Sequence, residues 1–327
     1  MPPNKKIHQK KKKKKLVITD NQTPISSEEI RNWAELPPDV LSLIFLKLGA
    51  IDILLRAQPV CSTWRKASKE PSLFRSIDTR NTWDSFKVSL YDTRIGWALF
   101  QNNMYDIETL VKKAVDRSCG QLVEFSLERF CSDELLAYIA DQSGSLRCLR
   151  LVSCYQVGDD ALINVAKKAV LLEELEICHC SFSGDVPDML ETIGKLCWQL
   201  KSFRLNCRGY RLPHRDCDDE ALVIAANMPQ LHHIHLFGNK LTNVGLGAIP
   251  NGCLHLESLD LRQCFNLNLE GVLLKSCKER LIKLRLPNDP TEDYEFNAVN
   301  VDGDDDYESF YRYRVVDLGD GNYCGFD

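Results

Sequence analysis

No run of roughly 18 consecutive apolar residues occurs anywhere in the chain, so no membrane-spanning helix is expected. The basic start is followed only by Leu16, Val17 and Ile18, far short of a signal peptide's apolar core. Without a secretory signal, the 14 cysteines read as small core residues in a reducing compartment rather than as disulfides. Acid is missing between Lys5 and Lys15, which holds eight lysines. Base is scarce after Asn288, where twelve Asp or Glu face two Arg. Neither end has the apolar content to order itself, so residues 1–30 and 288–327 read as a basic and an acidic tail.

Catalytic constellations are missing as well. His214-Arg215-Asp216 has the letters of a kinase catalytic loop, but no Gly-rich loop precedes it and no Asp-Phe-Gly follows. Cys178-His179-Cys180 could form one edge of a zinc site, yet no second Cys/His pair stands at finger spacing. His233 and His235 share one strand face, which suits an exposed binding surface better than a metal. Asp302–Glu308 is acidic but lacks the ligand spacing of a calcium loop, and the glycines of 319–325 open no helix. Nothing assembles a nucleophile, a base and an orienting group, so neither an active site nor a cofactor is expected.

What the chain does have is a repeat. Leu146–Cys154, Leu172–Cys180, Leu231–Asn239 and Leu256–Cys264 share the template L-x-x-L-x-L-x-x-C/N, and looser copies begin at Leu122, Leu200 and Leu281. The seven leading leucines are 24, 26, 28, 31, 25 and 25 residues apart. Each x-L-x-L core is a short strand with its leucines inward, and the segment after it, such as Asp159–Ala166, has helical spacing. Stacked copies make an α/β solenoid with a parallel, concave sheet of about seven repeats over residues 119–287. Cys154, Cys180, Asn239 and Cys264 fall where the coil turns, a place for a small buried residue. A second set, Cys119, Cys197 and Cys253, stands three residues before a leading leucine. Both sets are expected to be packed. The pattern resembles the cysteine-containing subtype of leucine-rich repeats. Phe130 and the long unit containing residues 208–219 depart from it.

The outward position of the template reads Ser126, Arg150, Glu176, Arg204, His235, Asp260 and Arg285, flanked by Glu174, His233, Phe237 and Arg262. Both charges, aromatic rings and imidazoles mix here, which suits a protein partner better than nucleic acid. Arg150, Arg204 and Arg285 are the expected anchors.

Ahead of the repeats, residues 31–78 read as a small module of three helices, joined through a helical linker over 79–118. Pro37 and Pro38 suit a helix start and Gly49 its end. Val40, Leu41, Ile44, Phe45 and Leu48 line one broad face, with Leu43 and Leu46 beyond it. That is more apolar surface than one short helix can hide, so a partner is expected.

The stretch from Leu36 to Phe74, with Leu-Pro, an acid two residues later, an aliphatic helix and then Val60-Cys61-x-x-Trp64-Arg65, resembles an F-box. With the repeats it resembles plant F-box/leucine-rich-repeat proteins over most of Trp33 to Pro287. The resemblance implies a non-catalytic substrate receptor: the F-box docks on a Skp-type adaptor, through it on cullin and RING subunits of an SCF ubiquitin ligase, and the repeats capture a protein target. Leu36, Pro37, Ile44, Leu48, Val60, Cys61 and Trp64 match the motif, and Pro38, Val40, Leu41 and Phe45 complete the expected adaptor-binding set. Phe74 stands where the family often has Trp. Two competing readings are a scaffold that does not lead to degradation and a small-molecule co-receptor. The absence of a basic pocket argues against the second. Lys10, Lys11, Lys12, Lys13, Lys14 and Lys15 fit a nuclear import signal, with cytoplasmic residence also allowed. No membrane or nucleic-acid partner is expected.

Overall fold

The computed structural model describes residues 33–80, 95–129, 131–180, 186–207 and 216–296. Lys10 to Lys15, Phe130, the loop 208–215 with its His-Arg pair, and the acidic stretch 302–308 lie outside the described residues. Contacts divide the chain into residues 1–36, which contribute one described turn at Trp33–Glu35, and residues 37–327.

Helix α1 (Pro38–Leu48) starts with a proline, whose missing N–H costs nothing there, and stops at Gly49, with φ at 82°. A short turn, α2 (Ala50–Asp52), continues into a π-helical turn at Ile53–Ala57. Helix α3 (Ser62–Ala67) is capped by Cys61, whose Sγ accepts a bond from the Trp64 amide at 3.4 Å. Leu41, Phe45, Ile51, Ile53, Ala57 and Phe74 are buried together, and Trp64 meets Phe45 edge-on at 5.4 Å. A core this small needs a neighbour. It finds one through β1 (Ser76–Asp78) and the long helix α4 (Ile95–Ser118), which pack the module onto the repeats.

Seven further strands follow: β2 (Glu124–Glu128), β3 (Cys148–Val152), β4 (Glu174–Cys178), β5 (Ser202–Asn206), β6 (His233–His235), β7 (Ser258–Asp260) and β8 (Lys283–Arg285). Between them run α5 (Asp133–Gln142), α6 (Asp159–Lys168), α7 (Val186–Leu196), α8 (Asp219–Asn227), α9 (Asn243–Gly252) and α10 (Gly271–Arg280). The sheet is wholly parallel in the order β1 to β8. Its inward row aligns Ile77, Phe125, Leu149, Leu175, Phe203, Ile234, Leu259 and Leu284 as direct partners. All but Leu284 are essentially inaccessible. Eight strands thus form where seven repeats are legible. The extra one, β1, has a single apolar residue, Ile77, and Thr79 in place of a second leucine.

The turns after the strands explain the cysteine column. The thiols of Cys154, Cys180 and Cys264 donate to Leu127, Leu151 and Leu236 carbonyls in the preceding coil. Asn239 uses both ends of its amide, on Glu220 and on the Leu241 amide. Just before this column the chain turns left-handed at Arg129, Ser153, His179, Gly238 and Gln263, and only one of these is glycine. In the second cysteine set Cys197 and Cys253 are buried, and burial pushes both thiols up to about 11. Cys119 differs from the expectation. It is exposed, because the chain leaves α4 through two left-handed residues, Cys119 and Gly120. All described cysteines are free thiols.

Part of the stretch read as an acidic tail is structured. Residues 288–296 are ordered against the concave face, held by specific pairings described below.

Helix stacking relies on close approach at glycine. A Cβ on Gly252 would stand 2.0 Å from the Ala225 carbonyl oxygen of α8, whereas one on Gly247 of the same helix meets nothing within 4 Å. Gly252→Ala is therefore expected to destabilise the chain by about 1–3 kcal/mol through overpacking. Gly247→Ala should instead stabilise it by about 0.5–1 kcal/mol. Chemical denaturation of the two variants checks the contrast.

Candidate functional site

Two surfaces of the unit 37–296 carry candidate residues. On the first, α1 turns Leu41 and Phe45 fully inward, so these two are core and not contacts for a partner. The helix instead exposes Val40, Leu43, Leu46 and Leu48, with Ile44 half-buried beside them. Leu43 and Leu46, expected beyond the main apolar face, are more than half exposed and belong to the exposed set. Pro37, Pro38 and Val60 are exposed, Trp64 is half-buried against Phe45, and Cys61 is occupied as the cap of α3. Leu36, in the N-terminal unit, is half-buried. An open groove of about 740 Å³, lined among others by Leu46, Leu48, Ile51, Leu73 and Arg75, borders this surface.

The second surface is the concave side of the sheet. The predicted outward row of Ser126, Arg150, Glu176, Arg204, His235, Asp260 and Arg285 is aligned strand by strand, and Asp78 of β1 extends it by one. Two of its acids are not open, however. Glu176 and Asp260 are buried, because arginines fold over them. The Glu176 carboxylate lies 3.4 Å from both Arg150 and Arg204, and Arg150 also reaches Glu174. Asp260 receives a forked pair of bonds from Arg262, down to 2.7 Å, with His235 at 3.7 Å. An ion pair this enclosed is costly to break from one side, about 3–5 kcal/mol, since the surviving charge stays buried. His233 remains exposed and forms no described bond of its own to a carboxylate.

Phe237 and Arg262 are the largest departure from an open face. Both are buried, under the segment that follows β8. Tyr294 lies flat on Phe237, with ring centroids 3.8 Å apart and planes 2° from parallel. The Arg262 guanidinium sits 5.8 Å from the Tyr294 ring centre and donates to the Pro290 carbonyl at 3.0 Å. Asp293 pairs with Arg262 and Arg285, and Glu295 pairs with Arg80 beyond β1. Burial disfavours the ionised Asp293, but the bonds from Arg285 and Arg262 outweigh it and hold this carboxyl below the usual range. Asp78, Arg80, Asp293, Tyr294 and Glu295 are site residues that the repeat template does not reach, and His179 lies in the template but outside its outward row. Among them, the acidic-aromatic spelling of 292–296 signals only Asp293, Tyr294 and Glu295.

No group of three His, Cys, Asp or Glu residues able to hold a metal ion occurs among the described residues. No described helix is long and apolar enough to cross a membrane.

Comparison with known proteins identifies the two parts of the chain that carry these surfaces. An F-box-like family model matches residues 33–80. F-box/LRR-repeat protein 23 of Arabidopsis thaliana is 44% identical over 274 residues, 82% of this chain and 57% of that protein, so the chain spans little more than half of that relative. F-box protein SKIP19 of the same plant is 41% identical over 295 residues, covering 86% of this chain and 90% of its own. Among solved structures, the leucine-rich repeat-containing protein LegL7 from Legionella pneumophila overlaps 53% of this chain and 59% of its own, at 11% identity and a TM-score of 0.37. The chain belongs to the F-box/LRR-repeat proteins, with an F-box-like domain ahead of a leucine-rich-repeat solenoid.

The concave face has a titration signature. Burial, and then the neighbouring Arg204 charge, lower the His235 pKa from 6.5 to about 4, against a smaller opposing pull from Asp260. The unfolded chain takes up this proton as pH falls below 6.5, and the folded chain only near 4. Stability should therefore decline across that window as pH falls. Urea midpoints measured near pH 7 and about pH 5 should differ less in His235→Gln than in the parent chain.

Proposed function

We propose that this protein is a substrate-recognition subunit of an SCF-type ubiquitin ligase. F-box/LRR proteins are generally non-catalytic adaptors, and an F-box-like domain implies binding to a Skp-type adaptor in general. One observation supports that role here above the others. The α1 helix satisfies its own core with Leu41 and Phe45 and still leaves Val40, Leu43, Leu46 and Leu48 on the surface. A contiguous apolar patch on so small a module suits a permanent partner. The adaptor covers this patch in the proposed complex and connects the chain to cullin and RING subunits. The concave face then holds the protein to be ubiquitinated. The chemistry supplied is proximity: target lysines are kept near the transferring enzyme.

Wall-like burial of Glu176 and Asp260 changes how the target face can be tested. Reversing Arg150, Arg204 and Arg285 together would surround buried acids with acid, so loss of binding would be confounded with loss of fold. The F-box surface has no such difficulty. Leu46→Lys and Leu48→Lys replace exposed side chains, so both variants should keep the parent melting temperature. They should lose adaptor capture by at least about tenfold, a desolvated charge costing several kcal/mol at an interface. Phe45→Ala, by contrast, should lower the stability of the module by about 3–5 kcal/mol. Capture of purified adaptor by the lysine variants at parental levels would sink the interface assignment.

Nuclear residence is part of the same proposal, supported by the lysines from Lys5 to Lys15. A fluorescent reporter fused to residues 1–20 should concentrate in nuclei. An even distribution of the reporter would remove this part.

A further inference from the structure

Several side chains of the concave face are committed to one short segment of the same chain. After β8 the backbone turns at Leu286, whose carbonyl accepts from the Asp289 amide and whose amide donates to the Asp289 carboxylate at 2.9 Å. A second turn, Tyr294 amide to Thr291 carbonyl, then presents four residues in succession. Asp293 meets Arg262 and Arg285, Tyr294 lies on Phe237, Glu295 meets Arg80, and Phe296 meets the His179 ring edge-on at 5.4 Å. The Tyr294 hydroxyl is 3.4 Å from His179 Nε2. Acid, aromatic, acid and aromatic alternate, and each meets a cation or a ring on a strand or on the turn that follows one.

Three observations distinguish this arrangement from a fixed structural strap. The charged side chains of the segment are about half exposed, at 55% for Asp293 and 46% for Glu295, so its pairs with the part-exposed Arg285 and Arg80 are weak, while Arg262 stays buried. The segment also leaves the groove unfilled. A cavity of about 260 Å³ remains beside it, lined on the sheet side by Arg204, His235, Asp260, Lys283 and Arg285. Finally, the triad Asp-Tyr-Glu occurs twice in the chain, at 293–295 and again at 306–308. A releasable occupant, spare room and a repeated spelling together describe a recognition site with an internal ligand.

We infer that the concave face recognises a linear peptide of the form acid–tyrosine–acid–aromatic, and that residues 293–296 occupy the site until a target displaces them. The inference rests on the reading of this face as the target-binding surface. Tethering gives the internal copy a high effective concentration, so it lowers the apparent affinity of any competing peptide without altering the site.

The test uses a labelled hexapeptide with the sequence of residues 291–296, followed by fluorescence anisotropy on the full-length chain. Binding should be at least about tenfold tighter to Asp293→Lys/Tyr294→Ala, in which the internal copy is released, than to the parent chain. Adding Arg285→Ala to that variant should weaken the peptide by about tenfold, through loss of a charge-assisted contact. Equal binding by a scrambled peptide of the same composition would overturn the inference, because bulk charge would then suffice. So would an unchanged affinity on release. Should the double variant fold poorly, hydrogen exchange on the parent chain replaces it. Saturating peptide should accelerate exchange in 291–296, and unchanged protection there would count against displacement. Adaptor capture is measured on the same preparations. If it fails while the peptide binds, the ligase reading falls and peptide recognition stands; the opposite result removes only the inference.

Discussion

A parallel strand can send only alternate side chains to each face, and the rest of this structure depends on that restriction. Leucine-type residues at the inward positions stack into one continuous core, from Ile77 in β1 to Leu284 in β8. The same alternation forces every intervening residue to face inward on the curve, where neighbours stand only a strand apart. A row of like charges would be untenable there. The row instead alternates in sign over much of its length, with Glu176 between Arg150 and Arg204 and Asp260 beside Arg285. Packing on one side of the sheet thus dictates the electrostatics on the other.

Burial of the two acids makes that row more than a decorated surface. Arg150 and Arg204 pair their charge with Glu176, and Arg262 spends part of its hydrogen-bonding capacity on Asp260, which constrains where their remaining donors point. Arginine suits the task better than lysine, since its fork can serve a buried carboxylate and a second acid together. Arg262 does so, binding Asp260 through Nε and Nη2 and the tail segment through Nη1.

Much of this was legible in the sequence because the template is strict. Leucines at fixed spacing identified strands, their register and the outward row, and Cys154 and Cys264 are buried as expected because only a small residue fits against the previous coil, while Cys180 is half-buried. Three features escaped for physical reasons. Strand β1 pairs through its backbone and through Thr79, so its sequence carries almost no hydrophobic pattern. On α1, a helix apolar nearly all round, spacing alone could not say which arc is core; Leu41 and Phe45 are, and Leu43 and Leu46 are not. The docked segment 289–296 looks like solvated tail by composition, because its affinity for the sheet lies in complementary charge and one stacked ring rather than in apolar content.

Strand β1 has a mechanical consequence. It begins two residues after the buried Phe74 of the helical module and is hydrogen-bonded along its length to β2. The module and the solenoid therefore share a sheet instead of a flexible joint, within a single contact unit. On the proposed reading such a chain is a ruler: the separation between its two candidate surfaces is a constant of the fold. With the proposed assembly in place, the choice of lysine would then lie with the target. Only residues at a set distance from its bound segment would come within reach of the transferring enzyme.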